Sequence, residues 1–191
     1  MTLLFFDRHG INRVQNKTMI TIMIENSNTI SQEIYDECIE NLDYHNLCSP
    51  CGHKGSLIGH GSYGRKAKKQ YEEEALRIKR VKCKICGDTH ALLPTVIVPY
   101  SQILLDDQVR IIECYEAGSG YGEILDDNLC IDENNIQSVV RQYCKHWRQR
   151  LLSHNIQTSP VTQLITHCFD VFNRQFMQIR TTKNTLYLRP T

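Results

Sequence analysis

Two short motifs in this sequence carry ligand chemistry: Cys48-Ser49-Pro50-Cys51-Gly52 and Cys83-Lys84-Ile85-Cys86-Gly87. In each, two residues separate a pair of thiols, so that a tight turn aims both sulfurs at one metal ion, and the following glycine permits the positive φ that closes the turn. Two such pairs complete a tetrahedron of sulfur. Zinc favours that arrangement, and four protein ligands leave no open position, which marks a structural rather than a catalytic site. Zn2+ is therefore the expected cofactor, held by Cys48, Cys51, Cys83 and Cys86, with a folding contribution of order 10 kcal/mol. The interval of 31 residues between Cys51 and Cys83 exceeds the roughly 15–20 usual for such ribbons, and an extended hairpin would absorb the excess. Two alternatives remain beside this reading. One is a dithiol redox pair, although no thioredoxin-like βαβ pattern surrounds either motif. The other is a ligand set in which His53, His60 or His90 replaces one cysteine; such histidines more often lie at the surface or beside the ligands.

The remaining cysteines, Cys38, Cys114, Cys130, Cys144 and Cys168, are spread singly through helical-looking segments and are expected to act as small buried hydrophobes. Nine cysteines, an odd number, fit a reducing compartment better than a disulfide framework. Asp7, Arg8, Arg13 and Lys17 interrupt any signal-peptide core, and no run of eighteen apolar residues suggests a membrane span. A cytoplasmic protein with no membrane partner is expected.

The net charge of +1 hides an uneven distribution. From Arg65 to Lys84 nine basic residues face three glutamates, and from Asp106 to Glu133 nine acids face Arg110 alone. Arg65, Lys66, Lys68, Lys69, Arg77, Lys79, Arg80 and Lys82 lie between the cysteine pairs. Basic residues alternate at Arg77, Lys79 and, after a doubled Arg80, at Lys82 and Lys84, which on a strand would put most of this charge on one face, able to track a phosphate backbone. The alternative is a solvated strand edge on which lysines block aggregation.

The elements that must position these groups follow from periodicity. Residues 18–24 read as a strand, paired with Leu3–Phe6. Ser31 suits the N-cap of a short helix carrying Ile34, Cys38, Ile39 and Leu42. Residues 48–98 read as a small β-rich unit. Asp106 opens a helix with Val109, Ile112 and Tyr115 on one face and Gly118 beyond its end, and Ser119 begins a second through Leu125. A third helix starts at Asp132, carries Ile136, Val139, Val140, Tyr143, Trp147 and Leu151 on one stripe, and runs to about residue 153. Ser159-Pro160 starts a fourth, with a stripe from Leu164 to Phe176, and 185–191 read as a tail. The expected class is α+β: an N-terminal strand and helix (1–44), a zinc ribbon with a long basic hairpin (45–99), a helix-turn-helix-like segment (100–153), and a C-terminal amphipathic helix and tail (154–191).

Helix, turn, short helix, turn and amphipathic third helix is the order of a helix-turn-helix, whose last helix enters the major groove. Away from its apolar stripe the third helix offers Asn134, Gln137, Ser138, Arg141, Gln142, Lys145 and Arg148, side chains that read base edges or hold phosphates. The acids Asp126, Asp127, Asp132 and Glu133 near the turn oppose this reading unless they point away.

The run from Cys48 to Arg65, with Arg-Val-Lys-Cys-Lys-Ile-Cys-Gly-Asp-Thr-His-Ala-Leu-Leu-Pro at 80–94, resembles the N-terminal zinc-ribbon and helix-turn-helix region of bacterial insertion-sequence transposases. It is closer still to a family of transposon-associated proteins that also end in a stretch like Arg174 to Arg180. The resemblance, over roughly residues 45–190, implies an accessory or end-recognition protein of a mobile element. Its partners would be double-stranded DNA and a transposase or integrase encoded nearby. After the third helix 38 residues remain, too few for a ribonuclease-H-like core, so the expectation is that the chain is not an enzyme. A transcriptional regulator would use the same parts. A protein-interaction module, in which the Val161–Phe176 stripe forms a helix-in-groove or homodimer contact, is the other class to separate from these.

Overall fold

The computed structural model describes residues 19–24, 30–180 and 186–188; the proposed partner strand Leu3–Phe6 lies outside them. The expected α+β class is observed. In chain order the elements are β1 (Met19–Ile22), α1 (Gln32–Glu40), β2 (Leu57–Lys68), β3 (Glu73–Cys83), β4 (Thr89–Pro94), α2 (Leu105–Glu116), α3 (Tyr121–Asp126), α4 (Glu133–His146), α5 (Arg148–Ser153), α6 (Val161–Phe172) and β5 (Leu186–Leu188).

The strands form one sheet in the order β2-β3-β4-β1-β5. The β2–β3 hairpin and the β3–β4 pair are antiparallel, whereas β1 runs parallel to both β4 and β5. The hairpin is the long one required by the interval between the cysteine pairs. It is not regular: its register slips between Gly59 and Ser62 of β2, opposite Arg80. There the buried positions of β3 change phase, from Leu76 and Ile78 to Val81 and Cys83. The extra residue lies in β2, where three steps from Gly59 to Ser62 face two from Val81 to Lys79, and the adjacent basic residues Lys79 and Arg80 mark the same point on β3.

Residues 186–188, read from sequence as tail, are a strand. Four-residue β1 and three-residue β5 are too short to declare their partners by pattern, and they join the sheet of the hairpin rather than a separate unit. The sheet core is sealed by α1. Ser31 caps this helix, its Oγ accepting from Ile34 N at 3.3 Å. Tyr35, buried on α1, donates its hydroxyl to Leu92 O at 3.1 Å and accepts from Lys79 N at 2.8 Å. The phenol thus satisfies backbone groups of two strands, and burial raises its pKa far above the usual range.

The helices pack around a second apolar cluster containing Val109, Ile112, Ile124, Ile136, Val140, Trp147, Leu164 and Phe169. Helix α2 begins at Leu105, one residue before the expected Asp106, and α3 is capped by Gly120 rather than Ser119. Asp132 caps α4 as expected, accepting from Asn135 N at 3.0 Å. The long third helix is in fact two. At Trp147 the backbone leaves helical values (φ −120°, ψ −39°) and α5 follows. The indole at that break is fully buried, edge-on to Phe172 and Phe176 at 5.8 and 5.2 Å between centroids. Helix α6 is capped by Pro160, not Ser159, and ends at Asn173 in the left-handed region (φ 49°). Phe176 therefore lies beyond the helix, yet remains buried. The segment around it ties the two cores together: Gln175 Nε2 donates to Thr95 O and Ile97 O in the turn after β4.

Candidate metal centre and nucleic-acid interface

The first knuckle is closed by Gly52 N–H donating to Ser49 O (2.8 Å) and the second by Gly87 N–H donating to Cys83 O (3.0 Å). Both glycines have positive φ, +91° and +78°, the conformation their place after each cysteine pair requires. The hairpin then brings the knuckles face to face, because β2 starts just after the first and β3 runs into the second, with Leu57 paired to Cys83.

The sulfurs of Cys51, Cys83 and Cys86 all lie within 4.8 Å of one another and could hold a metal ion. Cys51 and Cys83 are 3.5 Å apart at Sγ. Metal–sulfur bonds of about 2.3 Å at tetrahedral angles separate sulfurs by about 3.8 Å, so the spacing fits one ion and not a disulfide. Ser49 Oγ lies 2.9 Å from Cys51 Sγ, and Ser56 Oγ lies 3.2 Å from Cys83 Sγ. Both serines are buried. Burial alone would raise the Cys83 pKa, but hydrogen bonds from Ser56 and from backbone N–H groups of the second knuckle hold it down to about 5. Cys86 is pushed up to about 12, by burial and by its sulfur neighbours. Three thiolates this close cannot all ionise unless a cation sits among them, which is the electrostatic signature expected of a metal site.

Cys48 is placed differently. Its thiol is exposed and donates to Gly52 O at 3.6 Å, outside the three-sulfur cluster. His53 Nδ1 is 3.3 Å from Cys51 Sγ. His60 is exposed on β2 and His90 is buried on β4, and neither belongs to the cluster. The serines beside the sulfurs were not singled out from sequence, although Ser49 sits inside the first motif. Of the isolated cysteines, Cys168 is the buried hydrophobe expected, its pKa raised to about 12 by burial. Cys38, Cys114 and Cys130 are half-buried, and Cys144 is exposed, a correction to the expectation for that residue.

Much of the basic hairpin is already engaged. Lys66 pairs with Glu73 (2.7 Å), Lys69 with Glu72 (2.5 Å) and Lys68 with Asp132 (3.1 Å). Arg65 donates to Val98 O (2.6 Å) and to Ser101 O. Lys79 Nζ sits 4.6 Å above the Tyr44 ring, and Arg80 Nε is buried. Lys82 is half-buried, while Arg77 is exposed and has no carboxylate partner among the described residues. The Lys68–Asp132 pair docks the hairpin onto the start of α4. Partial burial pushes the Asp132 pKa up, but the Asn135 N–H and the Lys68 ammonium outweigh it and leave the carboxyl below its usual range.

On α4, Asn134, Ser138, Arg141 and Lys145 are exposed, while Ile136, Val139, Val140 and Tyr143 face the core. Gln137 donates to Glu133 at 2.8 Å. Gln142 turns inward with its amide oxygen buried, and Arg148, on α5, pairs with Glu116 at 2.9 Å. Four of the seven polar residues assigned to this face thus remain open to a ligand. No helix among the described residues is long and apolar enough to cross a membrane.

Residues 48–118 match a protein family described as a domain of unknown function (DUF6431). The match runs from the first knuckle cysteine through the hairpin and α2 to Gly118, so the shared unit contains the whole sulfur cluster. No curated protein and no solved structure matches the chain significantly.

Proposed function

We propose that this chain is a zinc-stabilised protein that binds double-stranded DNA, serving as an accessory or end-recognition protein of a bacterial mobile element without a catalytic core of its own. The convergence of Cys51, Cys83 and Cys86 supports the metal. An all-sulfur donor set with tetrahedral spacing favours zinc. Cys48, on the same knuckle as Cys51, supplies the fourth sulfur, and His53 is the competing donor. Zinc would hold the two knuckles together at the base of the hairpin; it has no step in any reaction.

The observation that carries DNA binding is the solvent face of α4. Asn134, Ser138, Arg141 and Lys145 stand open on one side of a helix whose other side is packed against α2 and α3. Asn can pair with adenine and Arg with guanine in the major groove. Of the acids at the start of α4, Asp132 is offset by Lys68, while Glu133 accepts from Gln137 at 2.8 Å. Arg141→Ala tests the reading: it is expected to weaken duplex binding by about 1–3 kcal/mol in a titration while leaving helicity unchanged. Equal affinity for variant and wild type would remove α4 from the interface. A transcriptional regulator would use the same face, and a transposase gene or inverted repeats beside the locus separates the two roles.

A second reading, a ribbon that docks a partner protein, is favoured by Ile85, which is 62% exposed at the tip of the second knuckle, and by the ion pairs that occupy Lys66, Lys68 and Lys69. Binding insensitive to salt and independent of nucleic acid would support it over the first.

A further inference from the structure

Tyr100 is held in an unusual conformation and left in solvent. Its φ is +67°, in the left-handed region that non-glycine residues seldom adopt, and it is 48% exposed. Such strain persists only where surrounding contacts impose it, and here they can be named. Arg65 donates to Val98 O and Ser101 O on either side, and Gln175 holds the preceding turn through Thr95 O and Ile97 O. The same C-terminal segment carries Arg180 over the Tyr100 ring, 5.1 Å from guanidinium to centroid.

The loop from Tyr100 to Gln102 is the shared wall of two open grooves. The first, of about 1070 Å³, runs along the hairpin past Lys66 and Arg77. The second, of about 330 Å³, runs along α4 past Asn135 and Ser138. Asp36 is the carboxylate in the lining of the first groove, and Gln32 Nε2 donates to it at 2.8 Å. Arg77 and Arg180 are exposed and have no carboxylate partner among the described residues.

The geometry points to a single nucleic-acid backbone track that leaves the α4 face, crosses Tyr100 and Arg180, and continues past Arg77 on the hairpin. This inference rests on the DNA-binding reading and adds to it the path and two residues, Tyr100 and Arg180, outside both the ribbon and α4. Arg77 and Arg180 each hold a phosphate, and Tyr100 offers its hydroxyl to the backbone between them. The loop fixes the backbone at Tyr100 before the ligand arrives and Arg180 stands over the ring, which reduces the ordering that binding must supply.

The test is the salt dependence of binding of the full, zinc-loaded chain to a fluorescent 20-base-pair duplex of random sequence. Affinity falls with salt in proportion to the number of phosphates neutralised, so the double variant Arg77→Ala/Arg180→Ala is expected to lower the log–log slope by about 2. Tyr100→Gly, which accepts the same φ without strain, is expected to weaken binding at unchanged slope, with circular dichroism like that of wild type. Wild-type binding with both variants unchanged in affinity and slope would overturn the track and leave the DNA reading standing. No binding by wild type to any duplex at low salt would overturn both.

Discussion

On the proposed zinc centre, Cys83→Ser is expected to abolish metal binding and unfold the knuckles, with a loss approaching the ~10 kcal/mol that a structural zinc contributes to folding. Cys83 is the sulfur on which the centre depends most. It is fully buried, paired across the hairpin with Leu57, and its pKa is held down to about 5 by hydrogen bonds to the sulfur. Serine in its place keeps the volume but offers a hydroxyl that stays protonated and binds zinc poorly. Metal analysis of the purified variant is expected to show less than one tenth of an equivalent, against about one for wild type. Cys48→Ser, which changes an exposed sulfur outside the three-thiol cluster, is expected to lower zinc affinity while retaining some metal. A full equivalent of zinc retained by Cys83→Ser would contradict the ligand assignment.

Trp147→Ala should remove about 3–5 kcal/mol of stability, the usual cost of emptying a buried aromatic site. The indole is fully buried, contacts Phe172 and Phe176 edge-on, and has the Arg150 guanidinium 5.7 Å from its ring. It thereby joins α4, α6 and the turn beyond α6, and alanine would leave a cavity among all three. At roughly 2–4 °C per kcal/mol for a chain of this size, the unfolding midpoint should fall by about 6–20 °C. Far-ultraviolet circular dichroism measures the first by urea unfolding and the second by thermal unfolding. A loss below 1 kcal/mol would mean that Trp147 is not the centre of the helical core.

The two knuckles were legible from sequence because their signal is local: thiol spacing and a following glycine determine the turn whatever surrounds it. The start and apolar face of α4 were legible for the same reason, through Asp132 and the stripe from Ile136 to Tyr143. What escaped depends on distance along the chain. Leu186–Leu188 carries no pattern that announces pairing with Met19–Ile22, and nothing near Lys68 indicates that Asp132 will neutralise it. The continuous periodicity from Ile136 to Leu151 hid the break at Trp147, because the apolar stripe survives a bend that keeps the same face inward. Charge was the least legible property. The basic block between Arg65 and Lys84 reads as a free surface, yet its own glutamates and the carbonyls of Val98 and Ser101 occupy much of it. Arg180 and Tyr100, by contrast, are unremarkable in sequence and come together only because Gln175 anchors the C-terminal segment beside the turn after β4.

The central claim is that zinc shapes a protein that binds duplex DNA, and a fluorescence-anisotropy titration of zinc-loaded protein tests it most directly. Duplexes from the ends of the protein's own genomic locus are compared with random duplex at low and at physiological salt. The account predicts tighter binding to the locus ends, with affinity falling steeply as salt rises. Protein shown to hold one zinc that binds neither duplex at either salt would contradict it and leave the ribbon as a docking surface for another protein.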